Sequence, residues 1–140
     1  MPDAAGFDVA ALRWGVIGYG WVARDYAVPG MLAAGGRLAA VADPDPESRR
    51  HAATLGATGH ADWAALLHDP EVEAVYVATP NHLHRAAVEA CCAARKPVLC
   101  EKPMAATLAD AEAMGDAVRA AGIRYGTAFD QRHHPAHAAM

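Results

Sequence analysis

Glu101, Lys102 and Pro103 follow directly on the apolar run Val98–Cys100, which puts a carboxylate and an ammonium where a buried strand is ending. An ammonium there can donate a proton to an oxygen, and a neighbouring carboxylate can orient it. The residue pattern alone fits a solvated loop pair better. A second signal is "GYGWVA", Gly18-x-Gly20-x-x-Ala23, set between an apolar run and a helical stretch. Gly18 permits a tight turn, Gly20 lets backbone approach a pyrophosphate, and Ala23 is small enough for helix to pack on strand. The N–H groups of Trp21 and Val22 would face phosphates at the helix N-terminus.

Asp43 ends the next apolar run, close to the ~20-residue spacing of an acid that hydrogen-bonds an adenosine ribose. Asp45 and Pro46 already start the following helix, which leaves Asp43 free for that role. A carboxylate there repels a 2′-phosphate, so NAD is expected over NADP, with Arg49 and Arg50 the residues that could argue otherwise. Further on, Thr79, Pro80 and Asn81 form a turn, and His84 falls on the first turn of the next helix. Asn81 acting as a helix cap, with His82 and His84 in water, accounts for the same residues.

These groups need elements to hold them. Apolar runs at Arg13–Gly18, Leu38–Ala42, Ala74–Ala78, Val98–Cys100 and Ile123–Phe129 read as strands covered on both faces, with a weaker one near Ala57–His60. Leu108, Ala111, Met114, Val118 and Ala121 form the stripe of a helix that Thr107 caps and Gly122 ends. Asp62 caps a short helix through Leu67, and Leu83, Ala87, Cys91 and Ala94 share the face of another. The first helix runs from Trp21 to about Ala34, and Pro29 is expected to kink or split it. Alternating strand and helix predict a single-domain α/β fold, a doubly wound, mostly parallel sheet of Rossmann type, because parallel strands need crossover helices. Ligands of such sheets bind beyond the carboxyl ends of the strands.

At 140 residues the chain is one domain in size. Twelve basic and sixteen acidic side chains give a net charge of −4 without a basic cluster, which argues against nucleic acid and anionic membrane as partners. Asp3 and Asp8 precede the first arginine, and no uncharged run approaches the ~20 residues of a membrane span, so a cytoplasmic location is expected. Cys91, Cys92 and Cys100 read as reduced packing residues. No metal site is expected of His133, His134 and His137, since adjacent histidines point apart and no carboxylate or cysteine completes a set.

Taken together, "GVIGYGWVA", "VADPDPE", "VYVATPNHLH" and "VLCEKPM" resemble the N-terminal domain of the Gfo/Idh/MocA family over about residues 11–140. Ala23 in place of a third glycine, and Arg95 where a glycine often ends the helix, are the departures. The resemblance implies hydride transfer between a nicotinamide cofactor, NAD or NADP, and a secondary alcohol or carbonyl of a sugar, cyclitol or related polyol. Lys102 would be the catalytic acid/base at the nicotinamide, Glu101 would orient the lysine or the cofactor, and Lys102–Pro103 would be cis. Cofactor contacts are expected from Gly18, Gly20, Trp21, Val22, Asp43, Thr79, Pro80, Asn81, His84, Glu101, Lys102 and Arg132. Residues 1–10 would be a tail, 11–130 the cofactor domain, and 131–140 the start of a linker to a substrate domain absent from this chain. That missing domain, or a homo-oligomer, would be the macromolecular partner. The competing expectation is a dinucleotide-binding module without turnover, and a weaker third is a remnant without ligand.

Overall fold

Six parallel strands form one sheet in the order β3-β2-β1-β4-β5-β6. They are β1 Arg13–Ile17, β2 Arg37–Ala42, β3 Thr58–His60, β4 Ala74–Val77, β5 Val98–Glu101 and β6 Tyr125–Ala128. The structure, a computed structural model, describes residues 11–139; the expected tail at residues 1–10 lies outside them. Every strand pairing is parallel, so the chain crosses a face of the sheet between strands. The crossovers carry α1 Val28–Ala33, α2 Pro46–Thr54, α3 Trp63–Leu67, α4 His84–Ala93 and α5 Leu108–Ala121. A 3-10 turn, Asp130–His133, and a short α6, Pro135–Ala138, follow β6.

Successive strand residues face opposite sides, which divides the core in two. Val16, Val41 and Tyr76 pack with Ala23 and Val28 of the first helical segment and Ala52 of α2. Ile17, Val75 and Val77 pack on the other face with Leu66 of α3, Val88 and Cys91 of α4 and Met114 of α5. Burying a side chain such as Leu66 completely contributes about 1.5–3 kcal/mol. All three cysteines are buried and free, and burial pushes the Cys91 and Cys100 thiols up to about 12, which leaves them protonated packing groups.

The helix ends follow the side chains that cap them. Asp45 accepts from the backbone N–H of Glu47 and Ser48, Asp62 from Ala65, and Thr107 from Asp110. Gly122 closes α5 in the left-handed region at φ 64°. Arg95 closes α4 in the same region at φ 55°, where a residue with a Cβ is strained. The first helix is split next to Pro29, into a π-helical segment and α1. Pro29 has no N–H to give the carbonyl of Asp25, and a π-helical segment, Ala23–Ala27, precedes it, with the Val28 N–H reaching back to the Ala23 carbonyl.

Candidate functional site

Strand register brings the chemistry-bearing loops into one row. Ile17 pairs with both Ala42 and Val77, and Val77 pairs with Cys100. Gly18, Asp43, Ala78 and Glu101, one residue further on in each strand or the turn beyond it, therefore line the carboxyl edge side by side. The row spans the point between β1 and β4 where the strand order reverses, the usual ligand crevice of a doubly wound sheet.

At β1 the chain turns through Gly18 at φ 85°, with its N–H on the Ala42 carbonyl at 2.9 Å. A Cβ on Gly18 would stand 2.8 Å from the Ala78 carbonyl and the Thr79 nitrogen, so glycine is required by the fold itself. Gly20 differs: a Cβ there would meet no heavy atom within 4 Å. Backbone openness at Gly20 leaves room for a group to approach the amides of Trp21 and Val22 where the helix begins.

Asp43 is engaged where the sequence left it free. Its Oδ2 accepts the Tyr19 N–H and its Oδ1 the Asp45 N–H, each at 2.8 Å, so the carboxylate braces the glycine loop against the turn into α2. Carboxylate oxygens have further lone pairs, and capacity for another donor remains. Arg49 is turned inward onto the carbonyls of Asp43 and Pro44 at 2.7 and 2.8 Å, and Arg50 pairs with Glu47.

Beyond β4, the Thr79 hydroxyl oxygen is buried and has no hydrogen-bond partner. Pro80 precedes a 3-10 turn, Asn81–Leu83, and the Asn81 side chain caps neither that turn nor α4. His84 is fully buried, with Nδ1 2.9 Å from the Pro103 carbonyl and Nε2 3.0 Å from that of Thr79. The ring therefore faces the turns after β4 and β5 from behind and presents neither nitrogen to solvent.

Glu101 ends β5. Its Oε1 accepts from the Tyr76 hydroxyl, and its Oε2 from the Lys102 N–H at 3.1 Å. Burial, and then the hydrogen bond to Glu101, push the Tyr76 phenol far above its ordinary value, so it stays protonated and acts as the donor. The Lys102–Pro103 peptide bond is cis. Lys102 and Glu101 line a cleft of about 590 Å³ with Tyr76, Val22, Trp21 and Tyr26. The last two, 65% and 67% exposed, meet edge to face with ring centroids 5.8 Å apart. Residues five apart lie on different sides of a regular α-helix; the π-helical segment brings this pair together.

Arg132 lies apart from this group, its guanidinium 5.1 Å over the Phe129 ring, and Asp130 is the residue of that turn that reaches the cleft. A smaller hollow of about 150 Å³, lined among others by Leu12, Trp14, Pro97 and Tyr125, lies away from these loops. Tyr76 and the Trp21–Tyr26 pair were not legible as site groups. A tyrosine within an otherwise aliphatic strand was the available hint, because a buried phenol needs a partner for its hydroxyl. Among the described residues no cluster of His, Cys, Asp and Glu is arranged to hold a metal, and no helix is long and apolar enough to cross a membrane.

The orphaned Thr79 hydroxyl and the open space at Gly20 suit a phosphate-bearing ligand lying along the row, with Lys102 at its far end. The Gfo/Idh/MocA oxidoreductase family, NAD-binding Rossmann fold, matches residues 12–129. The chain belongs to this family. Among Gfo/Idh/MocA relatives, 1,5-anhydro-D-fructose reductase of Ensifer adhaerens is 41% identical over 130 residues, which cover 91% of this chain and 39% of that protein. Levoglucosan dehydrogenase, solved with NADH and levoglucosan, is 35% identical with a TM-score of 0.79, over 91% of this chain and 37% of that one. A 3-ketoreductase from Actinomadura kijaniata, solved with NADP, is 30% identical with a TM-score of 0.85, over 92% and 42%. This chain thus spans about two-fifths of the length of these relatives.

Proposed function

We propose that this chain is the cofactor-binding part of a nicotinamide-dependent oxidoreductase acting on a secondary alcohol or carbonyl of a sugar, cyclitol or related polyol. The observation that carries the reading is the row itself: an open glycine loop, an acid, an unpartnered threonine hydroxyl and a lysine at a cleft share one edge. Gly18, Gly20, Trp21 and Val22 would hold the pyrophosphate, Asp43 the adenosine ribose, and Thr79, Pro80 and Asn81 the approach to the nicotinamide. Asp130, and not the expected Arg132, would border the same pocket from the turn after β6. NAD is preferred to NADP, because a carboxylate at position 43 repels a 2′-phosphate and both nearby arginines already have partners, Arg49 the carbonyls of Asp43 and Pro44 and Arg50 the Glu47 carboxylate.

The nicotinamide, when bound, supplies or accepts the hydride. Lys102 Nζ donates a proton to the substrate oxygen in reduction and takes it from the hydroxyl in oxidation. Glu101 keeps the lysine backbone in place. Hydride transfer also needs the substrate carbon held within about 3–3.5 Å of its partner in a site that restrains it. The cleft is open, and the relatives carry more than twice this length, so these 140 residues bind the dinucleotide without turnover. Calorimetric titration with NADH, NADPH and ADP-ribose tests the binding, and NAD reduction over inositol, glucose and other polyols tests the turnover. Failure to bind NADH refutes the reading; robust turnover by the short chain, abolished in Lys102→Ala, refutes the need for further chain.

A further inference from the structure

Two buried side chains grip the residues on either side of Lys102. On one side the Tyr76 hydroxyl donates to Glu101, whose other oxygen takes the Lys102 N–H. On the other, His84 reaches the Pro103 carbonyl with Nδ1 and the Thr79 carbonyl with Nε2. Tyr76 is 2% exposed and His84 is fully buried, the one polar or charged side chain besides tyrosine buried among the described residues. Tyr76 sits between Val75 and Val77 in a strand where a hydrocarbon ring would pack as well; the hydroxyl's partner is Glu101. A neutral imidazole carries one N–H and so donates to one carbonyl at a time; only the doubly protonated ring donates to both.

We infer that Tyr76 and His84 are positioning residues for Lys102, holding the turn 101–103 at both ends and tying it to the turn after β4. The inference rests on the reading of Lys102 given above. Lysine's long stem leaves its ammonium free to wander, so where Nζ acts is set by where its backbone is fixed. A hydrogen bond from a phenol to a carboxylate is of the strong, charge-assisted kind. A misplacement of about 1 Å at a reacting group costs on the order of 100-fold in rate, which is the reason to anchor both neighbours.

The chain has two lysines, Lys96 and Lys102, and Lys96 is bound to the carbonyls of Val72 and Asp69. Protein labelled with ¹³C-lysine therefore gives a reporter and an internal control. NADH is expected to shift the Lys102 Cε signal while ADP-ribose, which lacks the nicotinamide, leaves it in place. In Tyr76→Phe and His84→Gln the NADH-induced shift of Lys102 is expected to be lost, with the Lys96 signal and the ADP-ribose affinity unchanged. Tyr76→Phe removes a single oxygen and serves if the histidine variant does not fold. A wild-type Lys102 response in folded Tyr76→Phe overturns the inference, as does a parallel loss of ADP-ribose binding, which would assign both residues to general stability. Wild-type protein that fails to bind NADH, or binds it without a Lys102 response, refutes the underlying reading before any variant is made.

Discussion

Alanine at position 20 adds one methyl group where no heavy atom lies within 4 Å, so the folded state accepts it without a clash. Gly20 is also not among the glycines with positive φ, and an alanine there restricts the unfolded chain. The expected result is a gain of about 0.4–1 kcal/mol in stability. The same methyl fills the space through which a pyrophosphate would reach the amides of Trp21 and Val22, and NADH affinity should fall about tenfold or more, about 1.4 kcal/mol. Alanine at position 18 behaves oppositely. It places a Cβ 2.8 Å from the Ala78 carbonyl and the Thr79 nitrogen in a residue held at φ 85°. The left-handed backbone costs about 1–2 kcal/mol and the overpacking about 1–3 kcal/mol, for a loss of about 2–5 kcal/mol. Urea denaturation followed by circular dichroism gives the stabilities, and NADH fluorescence the affinities. If Gly20→Ala destabilises the fold as Gly18→Ala does, or binds NADH as tightly as wild type, the division of the loop into a structural and a ligand-facing glycine is wrong.

Asp43→Ala should cost about 1–3 kcal/mol by leaving the Tyr19 and Asp45 amides without their acceptor, and should weaken NADH binding while narrowing the preference over NADPH; calorimetry showing an unchanged preference would remove Asp43 from the ribose. Arg95→Gly should stabilise the chain by about 0.5–1 kcal/mol by relieving the left-handed residue at the end of α4, read as a higher urea midpoint. Acid should reduce stability through Asp69, whose carboxyl is held below the usual range first by the Glu71 N–H and then by His60. A depressed folded value stabilises above the unfolded value of about 3.9 and is lost as pH falls through the folded one. Asp69→Asn should flatten that acid limb in urea titrations run at successive pH.

The fold was readable because parallel strands buried on both faces write themselves as continuous apolar runs, and because Asp45, Asp62, Thr107 and Gly122 mark helix ends with groups that do the capping. Local motifs were readable for the same reason: their partners are near in sequence. What stayed hidden depends on distant pairs. The acceptor of the Tyr76 hydroxyl lies 25 residues away, and the carbonyls that hold His84 lie in two separate turns. His84 also reads as a solvent-facing residue of a first helical turn, until the 3-10 turn before α4 rotates it inward. Asp43 reads as free because another aspartate caps the helix, whereas its oxygens go to amides of two different loops.

The row along the carboxyl edge is in effect a ruler whose graduations are the hydrogen-bonded strand spacing. From Asp43 at the end of β2 to Glu101 at the end of β5 there are three intervals of about 4.8 Å, or about 14 Å, set by the peptide ladder and by no side chain. Substitutions can alter what each end of the ruler recognises, but not the length between them. A mononucleotide can satisfy one end alone. On the proposed reading, evolution on this scaffold can retune the acid at one end or the lysine at the other separately, while the demand for a ligand long enough to touch both would be inherited with the sheet.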